Sequence, residues 1–203
     1  YLKIAPQQTM REIARERRVL YIERAHSLAG ILFEPRRILR AAGNLVRGPR
    51  EVAPNVFALA PPPAPPWRTR SLIANRATMA LAGARARSAQ RHLGIERPVY
   101  WSYLPQGAYL AGAFGERLCV YDIVDAYEAF PRMNAAVCRR MEERMLRAAD
   151  LVFAISPNLV AERPGAYFCP IGAESERFAS IPGDTPLPEE LLGISPPRIG
   201  YYG

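Results

Sequence analysis

The chain has 203 residues, of which 49% are hydrophobic and 23% charged, and its formal net charge is +8 at pH 7. This composition is typical of a folded globular protein and excludes an intrinsically disordered chain. No apolar run reaches the roughly 18 residues of a membrane-spanning helix, and the first residues lack the apolar core of a secretory signal.

Two kinds of apolar pattern alternate along the chain. Short continuous apolar runs predict buried strands at 17–23, at the start of 55–67 before prolines stop it, and at 97–103, 116–124, 150–156 and 166–172. Helical spacing predicts helices at 7–16, 35–42, 69–92, 106–113 and 134–149, with Pro157 suited to the first turn of another.

The segment 69–92 is predicted to be the longest helix, ending at Gly94. One apolar stripe at helical spacing predicts the face that it turns to the core, and it comprises Leu72, Ile73, Ala77, Ala80, Leu81 and Ala84.

Helices that alternate with continuous apolar strands indicate an α/β fold, a Rossmann-like parallel sheet with helices on both faces. Ligands in that architecture bind beyond the carboxyl ends of the strands. The predicted carboxyl ends lie at Glu23, 101–103, 122–127, Ser156 and Gly172. Any functional site is therefore expected at this edge.

The basic residues and the cysteines carry less specific signals. Lys3 is the only lysine among 27 basic residues, and the arginines are scattered without a run of five, so no nucleic-acid partner is predicted. Three cysteines lie in predicted buried runs, and we expect reduced core thiols at Cys119, Cys138 and Cys169.

Several segments together resemble a known family. In chain order these are "PVYWSYLP", "CVYDIVDAYEAF", "MEERMLRAADLVFAIS", "CPIGAESERF" and "PRIGYYG". Their order resembles the N-terminal half of GT-B fold glycosyltransferases, in particular family 4-like enzymes that include the teichuronic acid biosynthesis glycosyltransferases. The family's "PNGVD..RF" segment departs here at Ile171 and Glu174, which removes the polar side chain expected at 171.

The resemblance implies a domain organisation and an activity. Residues 1–178 would form the acceptor-side Rossmann-like domain without its first strand, 179–197 an interdomain linker, and 198–203 the first strand of an absent nucleotide-sugar-binding domain. The implied reaction is transfer of a sugar from a nucleotide-sugar donor to a glycan or lipid-linked acceptor in cell-envelope polysaccharide synthesis. Such enzymes generally retain anomeric configuration and use no cofactor or bound metal. The implied location is the cytoplasm, with peripheral contact at the inner membrane surface.

The same resemblance implies roles for individual residues. Carboxylates that orient the attacking hydroxyl would be Asp125 and Asp122. Acceptor contacts would come from Tyr103, Tyr127, Ser156 and Gly172. Independently of the resemblance, the position of His26 directly after the first predicted strand makes it a further candidate for the same cleft. Backbone amides that approach the leaving phosphate would belong to Tyr202 and Gly203.

Simpler interpretations of these residues stay open. Asp122 and Asp125 have two residues between them and so do not form the D-x-D pattern of a metal site, and a metal is not expected. Asp125 could instead cap the turn, Asp122 could pack against its neighbours, and Tyr127 could either stack on a sugar or plug the sheet edge. Ser156 before Pro157 has the pattern of a helix N-cap.

Two other functions compete with sugar transfer. The first is a non-catalytic carbohydrate- or partner-binding module with the same domain. The second is a different α/β enzyme, because a fold does not fix a function.

Overall fold

The computed structural model describes residues 5–25, 43, 47–65, 67–131, 133–172, 179–180, 182 and 185–199. The chain divides into two compact units, Tyr1–Ile171 and Gly172–Gly203. The predicted helix at 35–42 lies outside the described residues. The predicted domain limits at 178 and 197 stay predictions.

Seven strands are found in the described residues, all in the first unit. They are β1 (Val19–Ile22), β2 (Arg50–Ala53), β3 (Val56–Leu59), β4 (Val99–Ser102), β5 (Leu118–Ile123), β6 (Leu151–Ala154) and β7 (Tyr167–Phe168). They form a three-stranded sheet of order β1-β3-β2 and a four-stranded sheet of order β4-β5-β6-β7. All pairs of the second sheet are parallel.

The α/β class and the parallel sheet are thus confirmed, and the arrangement is compatible with a Rossmann-like fold. β2 was not predicted. It precedes β3 and runs antiparallel to it. In the turn between the two strands Asn55 takes a positive φ of 60°, a conformation that asparagine tolerates better than most residues. Its first two residues, Arg50 and Glu51, are exposed and charged, so no apolar run marks the strand.

Helices pack against these strands. The α-helices of the described residues are α1 (Ala5–Ile13), α2 (Leu72–His92), α3 (Ala135–Ala148), α4 (Pro157–Ala161) and α5 (Glu189–Leu192), and 3-10 turns occupy Pro105–Tyr109 and Tyr127–Ala129. The main core joins Cys119, Tyr121 and Ile123 of β5 to Met145 of α3 and Leu159 of α4. Buried residues on both faces of β5 explain why its sequence reads as a continuous apolar run.

Gly94 ends α2 as predicted. Its amide donates to Arg91 O at 3.1 Å, and the amide of Ile95 donates to Gln90 O at 3.0 Å, which together form a Schellman motif. Gly94 has a φ of 62°, a conformation that costs glycine little.

The predicted core face of α2 is wrong. Ile73 and Leu81 in the predicted stripe are 83% and 60% exposed. The residues that α2 buries are small or polar, namely Asn75, Thr78, Ala82, Gly83, Ala86 and Ala89. Small side chains let the helix approach its support closely, and a Cβ built on Gly83 would lie 2.8 Å from Leu110 Cδ2. Packing distance, rather than side-chain apolarity, therefore selects the buried face.

A buried ion pair connects α3 to the end of α4. Arg163 is 4% exposed and Glu142 is 8% exposed. The Nε and Nη2 groups of Arg163 donate to the two carboxylate oxygens of Glu142, both at 3.1 Å. The phenol of Tyr121 donates to the same carboxylate at 3.1 Å. Burial is the largest single influence on Arg163 and lowers its pKa, but the hydrogen bonds and charges of Glu142, Glu162 and Glu128 together outweigh it, so the pKa of Arg163 is raised.

The second unit is described only in part. Its described residues are exposed and include α5. Arg198 and Ile199 are not in a strand, and the rest of the predicted strand 198–203 lies outside the described residues.

Candidate functional site at the carboxyl ends of the strands

The register of the parallel sheet brings four predicted site residues to one edge. Ser102 pairs with Tyr121, so Tyr103 follows at the level of Asp122. Ile123 pairs with Ala154, and the amide of Ile155 donates to Ile123 O at 3.2 Å. Ser156 therefore comes to the level of Asp125, as adjacent parallel strands end on the same side.

Asp122 is half-buried beside two aromatic residues. Its Oδ2 accepts a hydrogen bond from Trp101 Nε1 at 3.3 Å. Burial raises the pKa of Asp122, and the Trp101 hydrogen bond partly opposes that shift. Burial also raises the pKa of Tyr103, and the Asp122 carboxylate adds to it. Asp122 therefore packs against its neighbours, as the simpler interpretation of this residue predicts. Its charge still raises the pKa of Tyr103.

Asp125 is exposed at the same edge. The turn after β5 is closed by its backbone, since Tyr127 N donates to Asp125 O at 3.1 Å. Within the described residues its carboxylate accepts no hydrogen bond, so the side chain does not cap this turn. Partial burial raises the pKa of Asp125. A carboxylate with these properties can receive a hydrogen bond from a ligand hydroxyl.

Tyr127 closes the edge beneath Asp125. The residue is 6% exposed, and its ring meets Phe130 edge-on with centroids 5.6 Å apart. Burial raises the pKa of Tyr127, as do Asp125 and Asp122, whereas Arg24 lowers it. The buried ring favours a plug over a stacking platform.

Ser156 is the N-cap of α4, as its sequence pattern predicts. Its Oγ accepts a hydrogen bond from Leu159 N at 3.3 Å. Of the other predicted site residues, Gly172 is exposed and belongs to the second unit. The remaining three, His26, Tyr202 and Gly203, lie outside the described residues.

Two arginines at this edge were missed by the sequence reasoning. Arg68 is half-buried, and its Nη2 donates to Ala25 O at 3.2 Å, directly after Arg24. Burial lowers the pKa of Arg68, and the nearby Arg24 charge lowers it further. Neither arginine makes an ion pair with a carboxylate of the described residues. The sequence offered one indication of their place at this edge, which is that Arg24 follows β1 and Arg68 precedes α2.

The N-termini of two helices meet at the same edge. Asn134 N donates to Thr69 O at 3.5 Å, so the start of α3 lies beside the segment that leads into α2. Neither helix has an acidic residue in its first turn. The positive ends of both helix dipoles therefore add to the charge of the two arginines and favour an anion.

No group of three His, Cys, Asp or Glu side chains suited to a metal occurs among the residues that the structure describes. In the same part of the chain, no helix combines the length and apolar character needed to cross a membrane.

Comparison of the sequence with protein-family models and with curated proteins found no match.

Proposed function

We propose that this chain is the acceptor-side part of a GT-B glycosyltransferase that transfers a sugar from a nucleotide-sugar donor to a glycan or lipid-linked acceptor. The observation that carries the proposal is the exposed carboxylate of Asp125 at the carboxyl edge of the parallel sheet. Arg24 acts on the same Tyr127 phenol as Asp125 does, Arg68 lies beside Arg24, and neither arginine has a carboxylate partner in the described residues. The proposed reaction retains anomeric configuration and uses no metal, as the family resemblance implies.

The chemistry of glycosyl transfer fits these groups. The acceptor hydroxyl must be held in line with the anomeric carbon and lose its proton, and the leaving phosphate gains negative charge. Asp125 would accept the hydrogen bond of the hydroxyl, and its raised pKa makes it a stronger base than an ordinary aspartate. Arg24 and Arg68 would stabilise phosphate charge on the donor or on a phosphate-bearing acceptor.

The proposed location follows from the acceptor class. Lipid-linked acceptors belong to a membrane surface, and the proposal includes a cytoplasmic protein with peripheral contact at the inner membrane. The exposed arginines of α2 support this contact, since anionic lipid attracts exposed basic residues.

The test measures the binding of acceptor candidates to the purified chain by saturation-transfer NMR. A panel of glycans and glycosyl phosphates is titrated against the wild type, Asp125→Asn, Arg68→Gln and the control Glu143→Gln, which removes an exposed carboxylate from α3. We expect at least one acceptor to bind, and each site variant to weaken it about tenfold, the value of one charge-assisted hydrogen bond. If no acceptor binds, or if all variants bind alike, the proposal is wrong.

Transfer itself is assayed on the complete product of the gene that encodes this chain. Sugar transfer that Asp125→Asn reduces would support the enzyme. Acceptor binding without transfer in the complete gene product would favour the non-catalytic binding module.

A further inference from the structure

A second basic site lies on the helical flank of the first unit. An open cleft of about 250 Å³ is lined by Arg76 and Ala80 of α2, by Tyr109 and by Arg144 of α3. Arg144 is ten residues beyond Asn134, so it lies about 15 Å along α3 from the edge where the candidate acceptor site is found. The cleft is therefore separate from that site.

Two contacts fix the orientation of the Arg144 guanidinium. Its Nε donates to Ala108 O at 3.3 Å, and its guanidinium carbon lies 5.2 Å from the centroid of the Tyr109 ring. Within the described residues its Nη groups donate to no partner. A guanidinium anchored through Nε and an aromatic face leaves its two Nη groups available for bidentate binding of an oxyanion.

Arg76 supplies a second positive charge to the same cleft. It is exposed and makes no ion pair or hydrogen bond with the described residues. Among the described residues no carboxylate lines the cleft, and α2 contains no Asp or Glu. Two cations that share a cleft without a counter-charge repel each other, and a bound anion removes this repulsion.

We propose that this cleft binds a phosphate group. Its volume is below the roughly 300–1,000 Å³ of pockets that enclose drug-sized ligands, which suits one tetrahedral oxyanion with a small part of the molecule that carries it. The ring of Tyr109 forms an apolar wall, and the guanidinium groups of Arg76 and Arg144 provide the donors. The proposal does not depend on sugar transfer at the carboxyl edge.

Two sources can supply such a phosphate group, a soluble phosphorylated molecule or an anionic lipid headgroup. Exposed Ile73 and Leu81 lie on α2 three residues before Arg76 and five residues after it. Apolar side chains beside a basic cleft favour insertion into a lipid surface. The experiment separates these sources.

The experiment compares two double variants of equal charge. Arg76→Gln/Arg144→Gln removes both cleft cations, and Arg91→Gln/Arg139→Gln removes one exposed arginine from each of the same helices. Inorganic phosphate is titrated at constant ionic strength against chloride, and two-dimensional NMR follows the amides of Ala80 and Tyr109 and the Nε–H of Arg144. Sedimentation with phosphatidylglycerol or phosphatidylcholine vesicles forms the second arm.

We expect saturable shifts at the cleft in the wild type and in the control variant, with Kd about tenfold higher in the cleft variant. If the wild type and the control variant bind phosphatidylglycerol vesicles and the cleft variant does not, the ligand is a lipid headgroup. If phosphate shifts the cleft resonances but no vesicle binding occurs, the ligand is a soluble phosphorylated molecule. The proposal is overturned when neither arm responds, or when both double variants lose binding equally. Thermal melting checks folding, and Arg76→Lys/Arg144→Lys, which keeps both charges, should retain part of the affinity.

Discussion

Replacement of Arg163 by Met is the sharpest test of how the first unit is held together. The substitution keeps an unbranched apolar stem and removes every donor of the guanidinium. Glu142, which is 8% exposed, then keeps a buried charge with the Tyr121 phenol as its one described hydrogen-bond donor. A buried carboxylate left in this state is costly because it has lost both water and its counter-ion.

The magnitude follows from the burial of each partner. Loss of one member of a buried ion pair costs about 3–5 kcal/mol. The Arg163 contacts to Glu128 at 3.4 Å and to Glu162 at 2.9 Å add little, since the Glu162 side chain is 64% exposed and the Glu128 contact is long. We expect a loss of about 3 kcal/mol, which is a fall in Tm of about 6–12 °C for a chain of this size.

The assay is urea unfolding monitored by tryptophan fluorescence, in which half-buried Trp101 should change more than Trp67, which is 58% exposed. Arg163→Met/Glu142→Gln removes the isolated charge and keeps an acceptor for Tyr121, so it should recover at least about 1 kcal/mol of the loss. Arg15→Met is the matched surface control. It breaks the 2.9 Å pair with Glu12, in which the two side chains are 77% and 71% exposed, and should cost less than about 1 kcal/mol. A loss at Arg163 no larger than that at Arg15 would refute the reasoning.

Two further predictions concern titration and thiol chemistry. Burial raises the folded-state pKa of Asp122 above 3.8, so this group stabilises the fold most below pH 3.8, and that contribution is lost as pH rises through the raised pKa. Asp122→Asn keeps the acceptor for Trp101 and should reduce the fall of unfolding free energy as pH rises above 3.8; an unchanged slope would contradict the assignment. Burial raises the pKa of Cys119 and of Cys138 to about 11, whereas Cys169 is an exposed free thiol. An aromatic disulfide reagent at neutral pH should therefore react quickly with one thiol of the folded protein and with three thiols after denaturation. Cys169→Ser should abolish the fast phase, and two fast thiols in the wild type would show that one buried site is open.

The sequence was informative wherever one physical effect dominated a segment. Continuous apolar runs predicted six of the strands, and the cap at Ser156 and the stop at Gly94 followed from local hydrogen-bonding rules. Buried positions of Cys119 and Cys138 were predicted correctly, but Cys169 is exposed because β7 lies at the end of the order β4-β5-β6-β7 and its two residues are exposed. A sheet edge cannot be seen in a single apolar run.

The remaining errors came from effects that are not local. The face of α2 was misassigned because its alanine-rich sequence offers several apolar stripes, and the contact between Gly83 and Leu110 selects among them. At the candidate site, the pairing of β4 with β5 places Tyr103 beside Asp122, and both residues had been predicted at the carboxyl ends of their strands. Arg24 and Arg68 could not be distinguished among 27 scattered basic residues until the fold had brought them together.

The close approach of Gly83 to Leu110 also affects the width of the cleft between Arg76 and Arg144. One wall of the phosphate cleft is α2, and α2 touches Leu110, next to the Tyr109 wall, through a residue with no side chain. Any larger residue at 83 would act as a spacer between these walls. The width of the proposed phosphate cleft is therefore set in part by Gly83, a residue that does not line it.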